Sequence, residues 1–337
     1  MPARTAPFRI HPIVLALSLA VAACDGGDTP LAPAGADLTE PGALAPASET
    51  STAVETAAPE FLTAGSGPRI LFSSSRSGFW DLYRMAPDGT GVVRVTSFSS
   101  LEGAPAWSPD NKRIAFSRLR PDASNVLHRD IYLMNADGSG KRWILPQPSS
   151  ARIMNPSWSP DGTRLVVSVE VPDVPQLMLM NVATGAMSFI IGPQGAVSGN
   201  YPSFDPTGKK ILYLGSDYGS IETINVDGSG HTVIMVGAPY EFQTPRYSPD
   251  GKRLAFARRV SGNQDVYVRT LATGTIKRLT FHTSDDYAPT WSPDASRIAF
   301  NSFRAGPSQI YTVSSAGGTQ TRITHTTTQE AEPAWSH

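Results

Sequence analysis

From residue 68 onward the chain sets short apolar runs between turn-forming clusters, and the runs carry the period of two that strands require. Asp81-Leu82-Tyr83-Arg84-Met85 alternates, Asp88-Gly89-Thr90-Gly91 supplies a turn, and Val92-Val93-Arg94-Val95-Thr96 forms the next run. Arg113-Ile114-Ala115-Phe116 and Arg253-Leu254-Ala255-Phe256 each follow a tight turn in the same manner. Runs this short, bounded by Gly, Pro and Asp, predict β-hairpins rather than helices.

The runs belong to a larger repeat. Ala104 to Phe116 reads APAWSPDNKRIAF, Asn155 to Val167 reads NPSWSPDGTRLVV, and Tyr201 to Tyr213 reads YPSFDPTGKKILY. Thr244 to Phe256 reads TPRYSPDGKRLAF, Ala288 to Phe300 reads APTWSPDASRIAF, and Glu332 begins a sixth copy, EPAWSH. The aromatic falls at Trp107, Trp158, Phe204, Tyr247, Trp291 and Trp335, at intervals of 43 to 51 residues, a period that marks a solenoid, a propeller or an array. The proline suits a strand start or edge because it cannot donate to a ladder. In Pro-Asp-Gly the proline sets φ, the aspartate bonds its own backbone and the glycine takes positive φ.

A second module follows each copy: DIYLMNADGSG from Asp130, SIETINVDGSG from Ser220, DVYVRTLATGT from Asp265, QIYTVSSAGGT from Gln309 and a looser QLMLMNVATGA from Gln176. Each repeat therefore reads as four antiparallel strands, and six of them predict an all-β, six-bladed β-propeller. Arg69-Ile70-Leu71-Phe72-Ser73 matches the second strand of the motif without its first, and Pro333-Ala334-Trp335-Ser336 supplies that first strand at the other end. Their pairing is expected to close the ring and cover two strand edges. An open solenoid would call for polar capping repeats instead.

Composition adds little beyond room for a large core, with 40% hydrophobic residues, and a net charge of −1 that argues against a nucleic-acid partner. Residues 1–23 read as a signal peptide, with Arg4, Arg9 and His11 ahead of an apolar stretch from Ile13 to Ala22 that is short for a membrane span. Val21-Ala22-Ala23-Cys24 resembles the lipobox of bacterial lipoproteins. The resemblance implies cleavage before Cys24 and a thioether-linked diacylglycerol on its sulfur, usually with N-acylation. Two or three acyl chains suffice for stable anchoring. Cys24 is the only cysteine, so no internal disulfide is expected. Residues 24–67, rich in Ala, Pro and Thr, read as a flexible tether holding the domain off the bilayer.

The P-x-W-S-P-D-G-x-x-[IL]-[AV]-F motif followed by D-[IL]-Y-x-M-x-x-D-G resembles the TolB-type, WD-repeat-like propellers over about residues 68–337. The resemblance implies a periplasmic propeller with a central channel, in a family whose namesake binds a peptidoglycan-associated lipoprotein and extended peptides. The sequence departs from that pattern in two respects. The tether stands where an α/β domain precedes the TolB propeller, and the chain carries its own expected lipid.

Fold does not fix function, so the site is argued from loops. The motif aromatics read as packing, and Asp110, Asp161, Asp250 and Asp294 as turn chemistry. The loops entering each Pro-x-aromatic strand should rim one channel mouth. Three residues before the proline stand Glu102, Ile153, Gly199, Phe242, Asp286 and Glu330, with Glu241 and Asp285 one place earlier and Glu332 beside its proline. This predicts a partly acidic rim for a basic peptide segment or a cation, Ca²⁺ being suited to mixed carboxylates. Tyr240, Phe242, Phe281 and Tyr287 would pack on a ligand, and His282 and His325 occupy equivalent places at the same mouth. A solvated loop set without a ligand is the plainer alternative. No G-x-S-x-G nucleophile elbow occurs, and the histidines are scattered. The expectation is a non-catalytic, periplasm-facing lipoprotein that binds an envelope protein or peptide and meets the membrane only through Cys24. A metal-dependent uronate lyase on the same propeller and a purely structural envelope module are the alternatives.

Overall fold

The computed structural model describes residues 67–121, 127–144, 152–171 and 174–337. The expected signal peptide, tether and lipidated Cys24 lie outside the described residues. Every regular element among those described is a β-strand.

Three sheets follow one another with four antiparallel strands each. The first is Asn200–Phe204, Lys210–Leu214, Ser220–Asn225 and Thr232–Val236. The second is Phe242–Tyr247, Arg253–Val260, Asn263–Thr270 and Ile276–Arg278. The third is Asp286–Trp291, Arg297–Ser302, Gln309–Ser314 and Thr321–Arg322. A fourth sheet takes strands from both ends of the described chain: Glu330–Trp335 pairs with Ile70–Ser74, which pairs in turn with Asp81–Met85 and through it with Val93–Arg94. Ile70 stands opposite Trp335 in that register, and Ser336 N donates to Arg69 O at 2.8 Å.

The other two repeats merge into one eight-stranded sheet. Leu101–Trp107, Arg113–Pro121, Leu127–Asn135 and Arg142–Trp143 make one half, and Arg152–Trp158, Arg164–Val171, Val174–Asn181 and Met187–Phe189 the other. A single parallel contact, Arg129 opposite Arg152, joins them.

Apolar clusters fill the space between successive sheets. Leu71, Leu82 and Val95 meet Trp107, Ile114 and Phe116 of the next repeat. Ala255, Val266 and Val268 meet Trp291, Ile298 and Phe300. Ala299, Ile310 and Ile323 of the last repeat meet Ile70, Phe72 and Trp335. Middle strands are thereby covered on both faces, and alternation gives way to continuous burial: all five residues of Ile70–Ser74 are buried.

In four of the copies the turn after the Pro-x-aromatic strand is built around a buried serine that the motif's aspartate would not reveal alone, and in the third Asp205 stands in the serine's place. Ser108 Oγ donates to Asp110 Oδ1 at 2.6 Å and accepts from Arg113 N at 2.8 Å. Ser159 and Asp161, Ser248 and Asp250, and Ser292 and Asp294 repeat the arrangement. These bonds stabilise the carboxylate form, and the carboxyls of Asp161 and Asp294 are held down at about 2. The basic residue beyond the turn reaches the next repeat: the Arg113 guanidinium lies 4.7 Å from the Trp158 ring, and Arg253 stands likewise over Trp291.

Candidate functional site

The carboxylates expected on an open rim face inward instead. Glu102, Asp286 and Glu330 are fully buried or nearly so, and each has an arginine from the second strand of its own repeat or just beyond it. Arg76 Nη2 stands 2.9 Å from Glu330 Oε2, Arg304 Nη2 stands 2.7 Å from Asp286 Oδ2, and Arg118 Nε stands 4.0 Å from Glu102 Oε1. The guanidiniums also cover the tyrosines of the third strand, Arg76 over Tyr83, Arg118 over Tyr132 and Arg304 over Tyr311. Glu241 and Asp285, one place earlier and only partly buried, pair with Arg258 at 2.5 Å and Arg259 at 3.0 Å. Four of the six expected rim carboxylates, Glu241, Asp285, Asp286 and Glu330, are therefore held in close internal ion pairs. A free carboxylate shut between sheets is costly, so the fold meets each with a cation.

Glu102 is the least compensated. Thr96 Oγ1 and Ser100 Oγ donate to its two oxygens, but burial and the nearby Asp81 push its carboxyl up to about 8. Among the described residues no three His, Cys, Asp or Glu side chains converge as a metal set. Of the carboxylates invoked for Ca²⁺, Glu241, Asp285, Asp286 and Glu330 are engaged with arginines, and Glu332 with Ala104 N and Ser73.

The aromatic part of the expected rim divides. Phe242 is fully buried, and Tyr287, half-buried, stacks on Phe303 with ring centroids 5.6 Å apart. Tyr240 and Phe281 stand out, 49% and 66% exposed. Tyr240 stacks on Tyr218 at 5.7 Å. His282 and His325 are exposed, and His282 Nδ1 accepts from Ser284 N. These residues lie on connections into Pro-x-aromatic strands, and the antiparallel order puts the second-to-third-strand hairpins, with exposed Phe79 and Val260, at that same end of their sheets.

At the inner strands lies a cavity of about 370 Å³ whose lining residues the motif reading did not pick out. All six motif copies contribute to its wall. In each, the ladder register breaks around the proline, as between Gly103 and Ala106 or between Tyr287 and Thr290. Such a bulge lets the proline sit in a strand without interrupting the ladder hydrogen bonds. The residue before the proline takes the left-handed conformation every time: Ala104, Asn155, Tyr201, Thr244, Ala288 and Glu332 have φ between 45° and 55°. Six non-glycine residues in that region, all lining one cavity, mark strain held at a shared site. The sequence signal was present. These positions vary from copy to copy while the proline beside them does not.

Two charged side chains stand out on the cavity wall. Glu332 Oε2 accepts from Ala104 N at 2.6 Å and from Ser73 Oγ at 3.1 Å. Its approach needs Gly103, where a Cβ would lie 2.8 Å from that oxygen. Arg246 Nη1 donates to Pro245 O at 3.0 Å and Tyr201 O at 3.4 Å, and burial lowers the guanidinium to about 10. Its backbone carbonyl accepts from Trp291 Nε1.

Among the described residues, repeated four-stranded sheets whose first strands line one cavity define a propeller-type module. The family model that describes the TolB beta propeller domain matches residues 90–237 and 202–337, and the chain belongs to that family. It is similar to the Tol-Pal system protein TolB of Francisella tularensis subsp. mediasiatica, with 29% identity over 233 residues, 54% of this chain and 52% of that protein. The crystal structure of TolB from Acinetobacter baumannii superposes with a TM-score of 0.66 at 21% identity, covering 80% of this chain and 66% of that one. An oligogalacturonate lyase in complex with manganese shares the fold at a TM-score of 0.52 and 17% identity, covering 76% and 74%. The chain spans about half the length, or less, of the curated relatives it matches.

Proposed function

We propose that the protein is a non-catalytic module of the bacterial cell envelope whose six repeats close into a ring, and that it binds a protein or peptide partner at the loop end of that ring. Cys24 carries the lipid, and residues 24–67 tether the ring on the periplasmic side of a membrane. The observation that carries the reading is the exposure of Tyr240 and Phe281 on the connections that enter the inner strands, beside His282 and His325. Aromatic side chains left in water on a rigid support are the usual anchors of a protein interface. A rigid ring also lowers the ordering cost of association. Membership in the TolB propeller family, with relatives named for the Tol-Pal system, supports an envelope partner.

The acidic residues enter this reading as support for the loops rather than as ligand contacts. Asp286 and Glu330 fix the loop ends through Arg304 and Arg76, and Asp285 accepts from Gln264 N at 2.9 Å. A partner therefore meets aromatic and histidine side chains over a frame locked by ion pairs. The test is capture from solubilised envelope with wild type and a Tyr240→Ser, Phe281→Ser double variant. A partner that wild type retains and the variant loses is the expected result. Equal retention by both would move the interface off this end.

A further inference from the structure

We propose that the central cavity binds a free carboxylate group, with Arg246 as its anchor, carried by a peptide chain end or a free amino acid. This site lies among the inner strands and is separate from the loop-end interface proposed above.

The first argument is a contrast among arginines. Arg76, Arg94, Arg118, Arg120, Arg258, Arg259, Arg278 and Arg304 all have a carboxylate within 4.0 Å. Among the described residues Arg113 and Arg253 have no such partner and turn to a carbonyl and a tryptophan ring of the next repeat, whereas Arg246 lacks one on the cavity wall, where desolvation weakens its ionised form. Glu332, beyond ion-pair distance, offsets only part of that desolvation cost. Its two hydrogen bonds both leave from Nη1, toward Pro245 O and Tyr201 O. Nε and Nη2 have no hydrogen-bond partner among the described residues, and they form the edge of the fork that grips a carboxylate with two parallel bonds.

The second argument is that the fold does not need an arginine there. The equivalent position after the proline holds Ala106, Ser157, Ser203, Thr290 and Ala334 in the other copies. Those sheets form the same bulge with small neutral side chains. Arg246 is therefore an addition to one repeat, placed where its charge faces the shared space.

Glu332 sets the charge of the ligand. One of its oxygens is held by Ala104 N and Ser73, while Oε1 has no hydrogen-bond partner among the described residues. A dianionic phosphate would be repelled by this carboxylate. A monoanion is tolerated, and a zwitterion gains a second contact when its ammonium meets Oε1. The volume of about 370 Å³ suits one or two residues of a chain rather than a folded partner.

The experiment is calorimetric titration of the full chain with acetyl-Leu-Leu as the free acid, the same dipeptide as its C-terminal amide, and free leucine. The expected result is binding of a free acid that weakens about tenfold or more in the Arg246→Gln protein. Preference for acetyl-Leu-Leu over its amide identifies a chain end as the source. Binding of leucine that Glu332→Gln also weakens identifies a free amino acid. Because sister repeats carry Ala106 and Ser157, Arg246→Gln should melt within a few degrees of wild type, which separates loss of a ligand contact from loss of the fold. The proposal is overturned by acid and amide binding equally, by unchanged affinity in Arg246→Gln, or by no binding of either acid up to about 10 mM. It is also overturned if Arg246→Gln unfolds, since the arginine would then be structural. None of these outcomes bears on the loop-end interface, which the Tyr240 and Phe281 variant tests separately.

Discussion

Glu102 shows how one side chain carries a property that its place in the repeat conceals. It aligns with Asp286 and Glu330, yet its arginine stands at 4.0 Å, where theirs stand at 2.7 and 2.9 Å. Burial first, and the neighbouring Asp81 second, lift its carboxyl from the usual 4.5 to about 8. Between those two values the folded protein holds a proton that the unfolded chain has released. Its contribution to stability is thus fully present below pH 4.5 and falls as pH rises toward 8, by about 1.4 kcal/mol per pH unit at most. Glu102→Gln cannot ionise, so it should match wild type near pH 4.5 and exceed it by several kcal/mol near pH 8. Urea melts of both proteins at the two pH values check this. Parallel stability profiles would mean that Glu102 stays ionised in the fold.

At the scale of the strand, the feature that most shapes the site is the bulge ahead of each proline. Left-handed backbone costs a non-glycine residue roughly 1–2 kcal/mol, and glycine recovers that at some cost in chain entropy. Ala288, with φ of 51° and a small side chain, is the cleanest place to measure it. Ala288→Gly should stabilise by about 0.5–1 kcal/mol, and Ala288→Val should destabilise by more than that, both read from urea midpoints.

The same element explains what was legible in the sequence. Strands, hairpins and turns could be read because their chemistry is local: Pro-Asp-Gly fixes a turn wherever it occurs, and Gly162 and Gly251 take the positive φ expected of them. The strand pairing between the two ends was also legible, from the half-repeats at residues 69–73 and 333–336. The orientation of Glu102, Asp286 and Glu330 was not, because it depends on a bulge that shifts register and on partners supplied by another strand. Glu330 meets an arginine 254 positions away. A signal did exist, since Arg118, Arg258, Arg304 and Arg76 recur shortly after Phe116, Phe256, Phe300 and Phe72. A central channel was implied by the resemblance, but its lining was missed for a related reason: the wall is assembled from six distant copies, and only their variable positions carry its chemistry.

For the whole molecule, packing from repeat to repeat is continuous from the first described strand to the last. The cluster that joins Ile310 and Ile323 to Ile70 and Trp335 is built like those between interior repeats. Glu332 adds a polar link, since its carboxylate binds Ala104 N of another sheet. Such a body has two ends of different character, one carrying the exposed Tyr240 and Phe281 and the other the serine-aspartate turns. The functional account assigns the partner to the first. Its most direct test is site-specific photo-crosslinking in the native envelope, with the reactive group placed at Tyr240, at Phe281, or at Asp227 in the exposed turn at the far end of its sheet. The account predicts one shared protein adduct from residues 240 and 281 and none from residue 227. Adducts from residue 227 alone, or the same adduct from all three positions, would contradict it.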